Sequence, residues 1–436
     1  MKVLKFGGTS VGSAERIKNV ADLVADGERK IVVLSAMSGT TNSLEEITRH
    51  LYKKDNESAN AVVDVLEKKY LDTVNELYST EEYREKGKDI VASYMEHIRS
   101  FTVDMFTVFE EKTILAQGEL LTTALFYYYM EEQGKSAALL PALDYMRINS
   151  NNEPDLKYIE ENLKKLLEKH SSDEVLITQG YICRNAFGEV DNLQRGGSDY
   201  SASLIGAAVK ADEIQIWTDI DGMHNNDPRV VERTSSISDL SFDEAAELAY
   251  FGAKILHPTS VLPAKLANIP VRLLNTMEPD APGTLISSKQ QKNRITAVAA
   301  KDNITVIKIK SGRMLLAYGF LRKVFEIFES YRTPIDMITT SEVGVSVTID
   351  NDEHLDEIVK DLKNYGTVDV DRDQVIVCIV GDLVAENNGY AYKILEAVKH
   401  IPLRMISYGG SNYNVSLLIN ARDKESALKA FSSKLF

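Results

Sequence analysis

Lys5-Phe6-Gly7-Gly8-Thr9-Ser10 is the stretch on which the reading of the fold turns. It follows a short apolar strand, Val3–Phe6, and is expected to run straight into a helix. The apolar residues after it, Ile17, Val20, Ala21 and Val24, recur at i, i+3, i+4 and i+7, the helical period. A strand, a glycine turn and a helix start together make an anion site. Glycines let the backbone pass close to a ligand, and N–H groups at a helix start point at negative charge. Lys5 adds a full positive charge at the strand end. The frame is not the Walker type. Counting from Gly7, Gly12 sits where the second glycine belongs, but Ser13 follows where that motif has lysine. The lysine here comes before the glycines.

Working outward, the next 30 residues read β-α-β, with Ile31–Leu34 as the second strand. From Leu44 to about Gln133 the chain is charged, helical in pattern and free of proline. The Tyr127-Tyr128-Tyr129 run within it reads as core or interface packing. Strands resume at 137–140 and 175–178, with a hairpin over 181–190. Another βαβ unit follows, with Leu204, Ile205, Ala208 and Val209 on its helix and Ile214–Trp217 as its strand. Ser241 and Glu244 form a capping-box pattern opening a helix through Tyr250. Alternating strands and helices predict an α/β domain over 1–290, built on a doubly wound, mostly parallel sheet.

The pattern changes after Pro282-Gly283. Ile335-Asp336-Met337-Ile338 matches Leu403-Arg404-Met405-Ile406, and Met337 and Met405 lie 68 residues apart. Each match follows an apolar strand and an amphipathic helix and precedes another strand. This is a duplicated β-α-β-β module. The expected division is 296–370 for the first α+β unit and 371–436 for the second, with interlacing of the two allowed. A duplicated module behind an α/β core suggests an enzyme with a regulatory half.

Bulk properties narrow the function. Fifty basic against 65 acidic residues leave a formal charge of −15, which argues against nucleic acid or an acidic membrane surface as partner. No apolar run approaches the roughly 20 residues that span a bilayer. Lys2 and Lys5 interrupt any signal-peptide core. Cys183 and Cys378 stand far apart and read as buried thiols, so a reducing, cytoplasmic compartment is expected.

Several other segments could carry chemistry. Gln194-Arg195-Gly196-Gly197-Ser198-Asp199 is a second glycine-rich turn ahead of a helix, able to hold an anion. Trp217-Thr218-Asp219-Ile220-Asp221-Gly222 leaves the carboxyl end of a strand, where α/β sheets bind ligands, and Asn226-Asp227-Pro228-Arg229 closes the same loop. Lys254 follows Phe251-Gly252-Ala253. Ser35 and the run Ser38-Gly39-Thr40-Thr41-Asn42 can supply hydroxyl and N–H donors. Glu119 lies in Gln117-Gly118-Glu119 on a helical stretch. His224 and His257 lack partners at metal-ligand spacing, so no zinc site is expected and no side-chain metal ligands are assigned.

Taken in order, Lys5–Ser10, Leu34-Ser35-Ala36, Gln117-Gly118-Glu119, Arg195–Asp199, Trp217-Thr218-Asp219, Asp227-Pro228-Arg229 and Gly252-Ala253-Lys254 resemble the motifs of aspartokinase, a member of the amino acid kinase superfamily. The resemblance covers nearly the whole chain, and its tail is similar to paired ACT domains of ferredoxin-like build. Phe320-Leu321 and Asp336 through Ser341-Glu342 resemble the lysine-sensitive, single-function branch. There are departures: Gln194 stands where a glycine is usual, and His224-Asn225-Asn226 replaces a tyrosine-containing stretch.

The resemblance implies roles. Lys5, Gly7, Gly8 and Ser10 would hold the ATP phosphates, while Thr218, Asp219, His224, Arg229 and Lys254 would surround the nucleotide. Ser35, Thr41, Glu119, Arg195, Gly196, Gly197 and Ser198 would hold L-aspartate, with Glu119 on its ammonium and Arg195 on its α-carboxylate. Lys5 and Asp199 are the catalytic candidates, Asp199 orienting Lys5 or a Mg2+ ion that arrives with ATP. L-Lysine would act as an effector at Met314, Ala317, Phe320, Leu321, Ile335, Asp336, Ser341 and Glu342. Association as a homodimer, or a dimer of dimers, would run through the ACT units. The implied product is 4-phospho-L-aspartate. Its nucleophile is a carboxylate already ionised at neutral pH (pKa about 3.9), so no catalytic base is required. Rival readings are a kinase for another small acid and an inactive amino-acid sensor. The tail argues against the first, and intact Lys5, Glu119, Arg195 and Asp199 argue against the second.

Overall fold

The computed structural model describes residues 1–102, 105–193, 196–252, 256–289, 292–311, 318–383 and 388–436. The chain divides into two compact units. One comprises residues 1–223, 238–242 and 256–289, and the other 224–237, 243–255 and 290–436.

The first unit opens with β1 (Lys2–Phe6), α1 (Ala14–Val24), β2 (Lys30–Leu34) and a helical block of α2 (Thr40–Tyr52), α3 (Asn56–Leu77), α4 (Glu81–Ser100) and α5 (Val108–Glu132). Next come β3 (Ala137–Leu140), α6 (Ala142–Tyr145), α7 (Leu156–Lys169), β4 (Val175–Gln179), the hairpin β5 (Ile182–Arg184) and β6 (Val190–Asn192), α8 (Gly197–Val209) and β7 (Ile214–Thr218). After β8 (Asp239–Ser241), the unit ends with α10 (Leu262–Leu266), β9 (Val271–Asn275) and β10 (Thr284–Ser287), whereas the intervening α9 (Phe242–Tyr250) belongs to the second unit from Asp243 onward. Eight strands form one sheet in the order β3-β4-β2-β1-β7-β9-β10-β8. Every pairing is parallel except β9 with β10. β2 and β4 are buried at every position, as expected for strands covered on both faces.

The predicted stripe of α1 faces inward, with Ile17, Val20, Ala21 and Val24 all buried. The glycine turn does not run directly into this helix, however. α1 starts at Ala14, and the side chain of Ser13 caps it by accepting from the Arg16 N–H. Ser13 is the better cap because its hydroxyl satisfies an end donor that a glycine cannot. Residues 7–12 therefore form a turn of their own, with the Ser10 N–H donating to the Gly7 carbonyl at 2.9 Å. The run at 196–197 does abut its helix: Gly196, at φ +79°, is the N-cap of α8. α5 is buried on nearly all sides from Ile114 to Phe126, and its apolar residues there form part of the core. Its start is a Thr107–Glu110 capping box.

The second unit contains β11 (Ile295–Lys310), α11 (Phe320–Ser330), β12 (Ile338–Thr340), β13 (Gly344–Ile349), α12 (Leu355–Leu362), β14 (Thr367–Gly381), α13 (Tyr390–Ala397), β15 (Met405–Tyr408), β16 (Asn414–Asn420) and α14 (Lys424–Leu435). They make one antiparallel six-stranded sheet, β12-β13-β11-β14-β16-β15. β11 and β14 pair along their whole lengths, with register shifts between Ile295 and Ala297 and between Lys301 and Val306. Asn303 and Asp373 adopt left-handed backbone at the second of these, at φ +59° and +55°. Each long strand thus serves both modules. The C-terminal half of β11 and the N-terminal half of β14 complete a β-α-β-β-α-β unit around Val324, Phe328 and Ile358. The other halves complete a second unit around Ile394, Leu417 and Phe431. The repeat shows in the bonding: Asp336 N–H donates to Thr348 C=O at 2.9 Å, and Arg404 N–H to Leu418 C=O at 2.8 Å. Residues 224–237 and 243–255 join this unit through bonds such as Val298 N–H to Asn225 C=O at 2.8 Å and Ser411 Oγ to Glu247 Oε1 at 2.7 Å.

Candidate active site

The carboxyl ends of β1, β2, β4 and β7 gather most of the expected residues of the first unit. Lys5 leaves the end of β1 and its Nζ lies 2.6 Å from Asp199 Oδ1 in the first turn of α8. The two side chains are 13% and 16% exposed, so the pair sits in a medium of reduced dielectric yet can be reached from solvent. The turn beyond Lys5 is anchored on both sides. Gly7 N–H donates to Trp217 C=O at 3.2 Å, and Ser38 N–H donates to Gly8 C=O at 3.0 Å. Only glycine fits at position 8, because a Cβ there would stand 2.7 Å from the Ala36 carbonyl oxygen. Ser10 is fully buried, and its Oγ lies 2.7 Å from Thr276 Oγ1, so its hydroxyl braces the turn.

Glu119 enters from α5. Its side chain is buried, and loss of water pushes its carboxyl up to about 7, while the Ala36 N–H and the charge of Lys5 pull the other way. A cation placed beside it would favour the ionised form. Ser35, just past β2, donates from Oγ to Ser198 Oγ at 2.9 Å, joining the two loops. Thr41 lies half-buried in the first turn of α2. Thr218 ends β7 and its hydroxyl donates to Asp219 Oδ1 at 3.1 Å. Gly196 and Gly197 both hold left-handed backbone, at φ +79° and +48°. Arg195 lies outside the described residues, as does Lys254.

His224 and Arg229 fall in the second unit. His224 Nδ1 is 2.9 Å from Thr234 Oγ1. Arg229 forks onto Asp227, with Nε and Nη2 2.9 and 2.8 Å from its two carboxylate oxygens, and this holds Asp227 below the usual carboxylate range. The arginine is 80% exposed, so a phosphate could take over the fork at small cost.

Among the effector candidates, Met314 and Ala317 lie outside the described residues. Phe320 opens α11 behind the left-handed Gly319, Leu321 is exposed and Ile335 half-buried. Ser341 N–H closes a tight turn onto Gly344 C=O at 2.8 Å, and Glu342 is exposed. Asp336 departs from expectation. Its side chain is 1% exposed and already paired: Lys301 Nζ lies 2.6 Å and Tyr250 Oη 3.0 Å from its Oδ1. Burial nonetheless pushes its carboxyl above the usual range. Lys301 also reaches Asp350 at 2.8 Å. Sequence reasoning missed this cluster because nothing in the spacing of residues 250, 301, 336 and 350 marks them as neighbours.

A model of the amino acid kinase family matches residues 1–275, and one of the ACT domain matches 377–435. The chain is 33% identical to chloroplastic aspartokinase 1 of Arabidopsis thaliana, covering all of this chain and 80% of that protein. It is 32% identical to lysine-sensitive aspartokinase 3 of Escherichia coli K12, over all of this chain and 99% of the other. The chain belongs to the aspartokinase family. The solved structure of E. coli aspartokinase III with aspartate and ADP, in its R-state, superposes on this aspartokinase with a TM-score of 0.85 at 31% identity, covering both chains completely. The T-state structure with lysine and aspartate gives 0.84 at 31% identity, over all of this chain and 99% of that one. Among the described residues, no helix is long and apolar enough to cross a membrane.

Proposed function

We propose that the chain transfers the γ-phosphoryl group of ATP to the side-chain carboxylate of L-aspartate, giving 4-phospho-L-aspartate and ADP, and that L-lysine inhibits it through the ACT unit. The observation that carries the site reading is the half-buried Lys5–Asp199 pair at the mouth of the glycine turn, with the Glu119 carboxyl close enough to feel the charge of Lys5. The aspartate and ADP of the E. coli relative and its lysine-bound form support the choice of substrate and effector.

In this reading Gly7 and Gly8 let the backbone close on the phosphates, and Lys5 neutralises the transferring group. Ser10 holds the turn from behind. Thr218 and Asp219 lie on the nucleotide side. Glu119 pairs with the aspartate ammonium, while Arg195, Gly196, Gly197 and Ser198, with Ser35 and Thr41, take its α-carboxylate. One carboxylate oxygen of aspartate bonds to the γ-phosphorus as the bond to the bridging oxygen of ADP breaks. The acceptor is already an anion, so the protein supplies position and charge rather than a base.

Asp199 fits a magnesium ion carried mostly by phosphates, since such ions take one or two protein carboxylates, and this one lies beside the glycine turn with one oxygen on Lys5. Bound there, Mg2+ would neutralise phosphate charge. Two free, buried cysteines fit a reducing cytoplasm. Homodimerisation through the ACT unit belongs to the same proposal.

Lys5→Met tests the site. Removing one preorganised contact to the transferring group should lower kcat about 10²–10³-fold in a protein that circular dichroism shows to be folded. A folded variant with near-normal kcat would remove Lys5 from the mechanism.

A further inference from the structure

We infer that Lys112 is a positioning residue for the amino-acid substrate, acting through the β5–β6 hairpin. This rests on the reading that Glu119 and the run at 195–198 bind aspartate. Lys112 lies on α5 seven residues before Glu119, so the two share a helix face. Its Nζ donates to Asn192 Oδ1 at 2.7 Å and pairs with Asp191 Oδ1 at 3.1 Å. Lys112 and Asp191 are each 18% exposed, and Asn192 is buried. An ion pair so far withdrawn from water couples its two elements more tightly than a solvated one.

The other side of the hairpin is tied to α8. Tyr181 N–H donates to Ser201 Oγ at 2.9 Å, three residues after Ser198. Tyr181 sits at φ +66° where the chain leaves β4, a strained conformation for an aromatic residue. Leu193 N–H closes the hairpin base onto Tyr181 C=O at 2.8 Å. The hairpin therefore bridges α5, which carries Glu119, and α8, which carries Ser198 and Asp199. In sequence only Gln194 and Arg195 separate Leu193 from the Gly196 cap of α8. Both ends of one aspartate molecule must be met at once, so the spacing of α5 and α8 sets its fit. Lys112 fixes that spacing without touching the substrate.

The test is steady-state kinetics on the full chain by coupled ADP release. Lys112→Met should raise the aspartate KM about tenfold while kcat and the ATP KM stay near wild type. Lys112→Arg should restore the aspartate KM. Asp191→Asn should reproduce the defect, and the double variant should be no worse than either single one, because both remove the same tie. An unchanged aspartate KM in Lys112→Met, or a parallel rise of both KM values with a falling kcat, would overturn the inference. If Lys112→Met fails to fold, Asp191→Asn decides in the same way. Glu119→Gln separates the two levels. A normal aspartate KM there would sink the site reading itself, whereas a raised one beside a normal Lys112→Met would sink only the role of Lys112.

Discussion

If Glu119 pairs with the aspartate ammonium as proposed, aspartate binding should depend on pH, and the size of the effect follows from the surroundings of this carboxyl. Burial pushes its carboxyl up to about 7 in the unliganded protein. An ammonium pairs only with the ionised form. About half of the sites are competent at pH 7, roughly a tenth at pH 6 and roughly nine-tenths at pH 8. Apparent affinity scales with that fraction, so the aspartate KM should rise about tenfold from pH 8 to pH 6, equivalent to about 1.4 kcal/mol. The substrate's own side chain, near 3.9, does not titrate in this window. Below pH 7 binding should release nearly one proton, readable by calorimetry at pH 6 in two buffers of different ionisation enthalpy. Stability has the opposite sense. A carboxyl raised in the folded state stabilises most below its unfolded value, about 4.3, and that contribution is lost as pH climbs through about 7. Glu119→Gln should therefore unfold less readily than wild type at pH 8, by up to about 4 kcal/mol, while binding aspartate weakly at every pH. A flat KM between pH 6 and 8, or a glutamine variant that keeps the wild-type slope, would refute the reasoning.

Three further outcomes can be measured. Asp336→Ala should keep catalytic activity and lose inhibition by L-lysine, with Lys301 left on Asp350 alone; an inhibition curve matching wild type would exclude Asp336 from the effector site. Gly8→Ala should abolish activity, since its Cβ would stand 2.7 Å from the Ala36 carbonyl oxygen and force the phosphate turn open; unimpaired turnover would show that the turn does not need that approach. Ile338, 45% exposed on the edge strand β12, should lie in the homodimer contact. Ile338→Asp should then sediment as a monomer where wild type sediments as a dimer, and an unchanged dimer would place the contact elsewhere.

Much of the fold was legible because parallel strands buried on both faces and a striped helix leave direct marks on sequence. β1, β2, β4 and β7 and the face of α1 were read from apolar runs and the helical period, and the repeat around Met337 and Met405 from its spacing. The start of α1 was misplaced because two glycines drew the helix forward, while the Ser13 cap is a local hydrogen bond. The Thr107–Glu110 capping box was visible in sequence and went unread. The sharing of β11 and β14 between modules was open because a 16-residue strand and two shorter ones look alike until their pairing is known. Motif matching named Lys5, Glu119 and Asp199 as candidates but gave nothing of their surroundings. The Lys112–Asp191 tie and the Lys301–Asp336–Tyr250 cluster join residues far apart in the chain, with no periodicity to betray them. Asp336 is an example: it stands alone in the sequence, and in the fold Lys301 and Tyr250 hold its carboxylate.

The most direct test of the central claim is to trap the product. With ATP, Mg2+ and L-aspartate in the presence of hydroxylamine, the wild-type chain should release ADP and form aspartyl β-hydroxamate in equal amounts, and Lys5→Met should form neither at a comparable rate. ADP release that does not depend on aspartate, or that proceeds without hydroxamate, would contradict the assignment of this site to carboxylate phosphorylation.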